Sequence, residues 1–330
     1  MKRITPLSVV ALILLCWVGL LGALYEKGKA PGALIYARIP EETIRFLDKL
    51  SEQLDLFLRF DPNIRPKDWQ DKFNYGEDPE TGLKKIEDDC FVIYFNEGNK
   101  PASQAEKILH WAHEAIPGSE TLMGKYPFPA DVNERKLPIY LADTKEQYAA
   151  LATRLNGGTP VQKTNSTIGL YFSRYSRMGN LTVGILISPA VWESDRQARE
   201  VLWHEMNHYV YFTLIEYDKI VRPYMWVYEG LAEYFSQERT LQLSGQQVEM
   251  CRRYTLSGTF PDYIANYWGG ESVYRFMEAH YGGTKVKDFI RYTYVHPTDE
   301  SLTVTFQTDL PRLEGEWKTW LGEEEEAPAP

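Results

Sequence analysis

Two histidines four residues apart, with a glutamate beside the first, carry the clearest chemistry in this chain. They lie in Trp203-His204-Glu205-Met206-Asn207-His208-Tyr209, an HExxH motif. No proline or glycine interrupts Asp195 to Leu214, and Ser194 with Gln197 fits a capping box, so a helix is expected there. On a helix, residues four apart share a face, and His204 and His208 can aim their rings at one ion. Zinc accepts neutral imidazole nitrogen, so the pair would supply half of a tetrahedral shell. Glu205 sits where its carboxylate can take a proton from a water made acidic by such an ion.

A catalytic zinc needs a third protein ligand and one open position. Twenty-one residues beyond His208 comes Glu229, within Trp226-Val227-Tyr228-Glu229-Gly230-Leu231-Ala232-Glu233-Tyr234-Phe235. This stretch fits W-x-x-E-G-x-A-x-Y at every defined position, and with the HExxH it resembles the gluzincin metallopeptidases. The resemblance implies Zn2+ as cofactor, Glu229 as third ligand and Glu205 as general base in hydrolysis of a peptide or protein substrate. Arg222-Pro223 would separate the two ligand-bearing helices. Glu233 lies one turn after Glu229. By similarity to thermolysin-like enzymes it would accept a hydrogen bond from the outer nitrogen of a ligating histidine; the alternative is a solvated helix-face glutamate. The segment Asn266 to Tyr274 is similar to the aminopeptidase-type region in which a tyrosine before a helix holds the oxyanion. That implies a catalytic role for Tyr267, with Tyr263 as rival and a packing aromatic as the plain alternative.

The elements expected to position these groups begin with a strand at Cys90–Phe95 and a helix over 103–116. A second strand (Leu137–Ala142) and helix (Thr144–Leu155) follow, then two strands, Ile168–Phe172 and Leu181–Ser188, about a turn near Gly179. Beyond Ser194 the pattern is mostly helical, so the fold class is α+β. The resemblance implies a zincin-like fold: a mixed sheet lobe with the active-site helix, followed by a helical lobe. It also places a substrate-pairing edge strand just before that helix, at Asn180 to Ser188; the alternative is an ordinary core strand of similar composition. Aminopeptidase-N-like enzymes carry G-x-M-E-N on that strand, whose glutamate binds the substrate amine. Leu181 to Ser188 holds no acidic residue, which favours an endopeptidase.

At the N-terminus, Lys2 and Arg3 precede Leu7 to Leu24, 18 residues without a charge. The run is at the lower limit for a membrane span and longer than a usual signal core, and the basic flank orients the remainder outward. The expected layout is a cytoplasmic 1–6, a signal-anchor (or cleaved signal) 7–25, a linker with an amphipathic helix 26–84, a catalytic domain 85–321 and an acidic tail 322–330. Apolar residues recur at helical spacing over Glu41–Phe60, while Asp61 to Gly82 reads as loop.

The net charge of −10 over 330 residues argues against a nucleic-acid partner, since phosphate binding needs basic surface. Three cysteines are too few for a disulfide framework, though Cys90 and Cys251 could pair in an exported domain. His110 and His113 are set aside as surface or packing histidines. Two other functions stay open: a non-catalytic peptidase-like binding protein at a membrane surface, and a zinc hydrolase acting on a non-peptide substrate.

Overall fold

The structure is a computed structural model and describes residues 74–79, 81–96, 100–127, 136–161, 167–176, 179–215, 223–236, 243–257 and 265–326. The apolar run at Leu7 to Leu24, the helix expected over Glu41–Phe60 and Tyr263 lie outside them. Among the described residues, no helix is long and apolar enough to cross a membrane.

The order of elements is β1 (Asn74–Glu77), β2 (Lys84–Glu87), β3 (Phe91–Phe95), α1 (Lys100–Met123), β4 (Leu137–Leu141), α2 (Lys145–Leu155), β5 (Gly169–Ser176) and β6 (Gly179–Ile187). After a short 3-10 turn come α3 (Asp195–Leu214), α4 (Met225–Ser236), α5 (Gly245–Arg253), α6 (Ala265–Tyr281), α7 (Gly283–Tyr292), α8 (Thr298–Phe306) and α9 (Leu310–Glu326). The fold is α+β with a mixed six-stranded sheet in the order β1-β2-β3-β4-β6-β5. Strands β3, β4 and β6 run parallel, while β1, β2 and β5 are antiparallel to their neighbours.

Period-two alternation gives the sheet two buried faces. Ile93, Ile139, Ile185 and Ile187 join the large core formed with α1, α3 and the later helices. Leu186 and Phe172, with Ala142, pack instead against Tyr148, Leu151 and Leu155 of α2. Helix α2 starts where Thr144 caps it by accepting from the Gln147 N–H. The helical lobe closes around fully buried Trp226, Tyr274, Phe289 and Trp317.

Three features differ from the sequence-based expectation. The sheet begins earlier: β1 lies inside the stretch read as loop, because NYGE and KKIE hold no apolar run to announce a strand and ladder pairing forms them instead. Helix α1 continues through Pro117 to Met123, carried by buried Ala115, Ser119 and Met123. Most relevant to function, β6 is not the edge. It pairs with β4 on one side and β5 on the other, which leaves β5 as the edge strand preceding α3.

Candidate metal centre

Helix α3 is built as its sequence dictates. Ser194 accepts from the Gln197 N–H at its start, Asp195 faces the positive N-terminal end of the macrodipole, and no helix breaker follows. The helix passes between the sheet and the helical lobe, so it is covered on both sides. Every residue from His204 to Tyr211 is buried. Trp203 braces it on α1 through its indole N–H, which donates to the Trp111 carbonyl at 2.8 Å.

Helix α4 is anchored independently. The Trp226 indole donates to the Leu256 carbonyl at 3.0 Å, and the Tyr274 hydroxyl donates to the Val227 carbonyl at 2.9 Å. With Trp226, Val227, Leu231 and Ala232 buried, the helix has one rotational setting, and that setting turns Glu229 inward.

The three side chains converge. His204 and His208 bring their Nε2 atoms to 3.1 Å from each other. Glu229 Oε2 lies 3.4 Å from His204 Nε2 and 3.3 Å from His208 Nε2. The three form a buried group able to hold a metal ion. Among the described residues Glu229 Oε2 makes no well-aligned hydrogen bond, although both imidazoles lie within 3.4 Å of it, so this buried acceptor could still take an ion. Burial alone would raise the Glu229 pKa, but the two histidines hold it down to about 2. For His204 burial pulls the other way, and the carboxylates of Glu229 and Glu233 outweigh it and raise the pKa well above the ordinary value. Both shifts express one interaction, the attraction between the Glu229 carboxylate and the imidazoles beside it.

The neighbours fall into place around this group. Glu233 Oε1 approaches His204 Nδ1 to 3.1 Å, on the side away from Glu229, without the alignment of a straight hydrogen bond. The Tyr267 ring lies against the His204 ring at 5.4 Å and 29°. Glu205 is turned toward the sheet, where its carboxylate accepts from the Tyr171 main chain; burial raises its pKa, against the pull of His204 and His208. All six side chains singled out from the sequence therefore lie in one region of the structure. Sequence reading missed three residues that border it. Gly169 of β5 abuts Glu205, Gly270 of α6 abuts Gly230, and Glu271 is a buried acid one turn after Tyr267. The Gly269-Gly270 pair inside a helical stretch was the available signal for the second.

Cys90 and Cys251 are both free thiols, and Cys251 is buried. His110 and His113 have acidic partners, Glu114 at 2.9 Å and Asp88 at 2.5 Å, but these are separate pairs, and among the described residues neither belongs to a three-donor group.

Comparison with known protein families and with curated proteins finds no match for this chain.

Proposed function

We propose that the protein is a zinc-dependent metallopeptidase of the gluzincin type with a zincin-like fold. The observation that carries this reading is the convergence of His204, His208 and Glu229. A tetrahedral ion with ligands at about 2.0–2.1 Å has donor atoms about 3.3–3.4 Å apart. The three donor separations, 3.1, 3.3 and 3.4 Å, fit that shell. Two imidazoles and one carboxylate are also a donor set that zinc accepts in hydrolases, with one position left for water or substrate.

Zinc, when bound, supplies Lewis acidity that polarises a carbonyl and makes a water acidic near neutral pH. The remaining work belongs to the chain. Glu205, one residue from the first ligand, takes the proton from the attacking water and delivers it to the leaving amine. Its raised pKa suits a group that must both accept and release a proton. Tyr267, whose ring lies against that of His204, would donate to the developing oxyanion. Glu233 orients the His204 ring from behind. Strand β5 is the last strand of the sheet among the described residues, and an extended peptide could pair along it through main-chain hydrogen bonds. Its sequence, GLYFSRYS, carries no acidic residue to bind a substrate amine, which supports an endopeptidase over an aminopeptidase. The basic-then-apolar N-terminus supports a domain held outside a membrane.

The deciding experiment pairs a zinc-content measurement with digestion of a peptide library, with and without chelator. The expected result is about one zinc per chain and chelator-sensitive cleavage within peptides. Stoichiometric zinc without cleavage of any peptide would rule out peptidase activity.

A further inference from the structure

Gly169 is the first residue of the edge strand, with its Cα paired to Ile187 of β6. Its backbone gives no reason for glycine: it is not among the positive-φ glycines, and it sits in regular strand pairing. The reason is space. A Cβ built on Gly169 would lie 2.6 Å from Glu205 Oε1, 2.6 Å from Val201 Cγ1 and 2.9 Å from Glu205 Cγ. All three distances are well inside van der Waals contact. Two residues along the same strand, the Tyr171 main chain donates to the Glu205 carboxylate. Residues 169 and 171 share a face of the strand. Glu205 thus lies in a notch of the edge strand, held from one side by a main-chain donor and admitted on the other by a missing side chain.

We infer that Gly169 is a positioning residue for Glu205: the bare main chain at this point of β5 sets how far the carboxylate stands from the metal group and from a peptide paired on the strand. The inference rests on the reading of Glu205 as general base. It goes beyond that reading by tying the base to the same strand that would pair with substrate, so the two are held in one register. Catalysis by an oriented base is sensitive to small displacements, and about 1 Å can cost about a hundredfold in rate.

The test uses the full-length zinc-loaded protein and Gly169→Ala. A glycine inside a strand is ordinarily less stable than alanine. With no positional role, the variant would keep its activity, whatever the contact with Val201 does to its melting temperature. The expected result is a kcat lowered about 10–100-fold, with KM within about twofold and zinc content unchanged. Combining Gly169→Ala with Glu205→Asp checks the route. The shorter acid withdraws from the added methyl, so the alanine should cost less in that background than in the parent, a coupling that a double-mutant cycle reads. Equal losses in the two backgrounds, or an unchanged kcat in the single variant, would overturn the inference. Crystal structures of the parent and Gly169→Ala decide it even if the parent cleaves no peptide: a displaced Glu205 carboxylate supports the positional role, and an unmoved one sinks it. A parent without activity would count against the peptidase reading alone. Should Gly169→Ala fail to fold, the same measurements on Gly169→Ala with Val201→Ala, which clears the second contact, take its place.

Discussion

Gly230 of α4 and Gly270 of α6 meet backbone to backbone. A Cβ on Gly230 would lie 2.4 Å from the Gly270 carbonyl carbon, and one on Gly270 would lie 2.7 Å from Gly230 Cα and 2.9 Å from the Trp226 carbonyl oxygen. Neither position admits a side chain unless the helices part. The crossing joins two residues of the proposed site: Glu229 is the residue before Gly230, and Tyr267 lies three residues before Gly270. Gly270→Ala should therefore destabilise the fold by about 1–3 kcal/mol, as overpacking does. Denaturant unfolding would measure it, and zinc retention on dialysis should fall in parallel because Glu229 moves with α4.

On the proposed reading, removing zinc would leave the His204, His208 and Glu229 donors without their ion. Melting temperature should drop with chelator and recover with added zinc, by about 2.7 kcal/mol of stability when free zinc is at a hundred times Kd. Glu229→Gln should abolish most of that zinc-dependent shift in a thermal melt.

Glu205→Gln preserves shape and removes the base. Hydrolysis should fall by about 10²–10⁴-fold while zinc content stays that of the parent. Normal turnover by this variant would refute the proposed mechanism.

Glu233→Gln tests the support behind His204. The 3.1 Å approach to Nδ1 is the only described contact on that side of the ring from an acid. Zinc affinity should fall about 10–100-fold, read by competition with a chromophoric chelator, with smaller effects on cleavage at saturating metal.

Glu271 predicts a pH dependence unrelated to turnover. Burial raises its pKa from 4.5 to about 7, with Arg275 opposing through its guanidinium at 3.2 Å and Glu233 adding to the rise. A carboxyl whose folded pKa exceeds its unfolded one binds its proton more tightly when folded. Its contribution to stability is present below pH 4.5 and is lost as pH rises through about 7. Unfolding free energies across this window should show that decline, and Glu271→Gln should flatten it.

The chain's own order of residues determined a great deal here. An uninterrupted, capped helix puts His204 and His208 on one face whatever surrounds it, because helical period is local. The apolar runs of β3, β4 and β6 were readable for the same kind of reason, as was the mostly helical character of the described residues after Ser194. Tertiary structure decided what local pattern cannot encode. Strand β6 looked like an edge because its composition says nothing of its neighbours, and only sheet pairing moved that role to β5. The distance from Glu229 to the two rings depends on how α4 packs on α3, set by Trp226, Tyr274 and the Gly230–Gly270 crossing. Gly169 and Gly270 read as ordinary glycines until the atoms that would collide with a side chain are in place. Periodicity reports which way a residue faces, and only packing reports what it meets there.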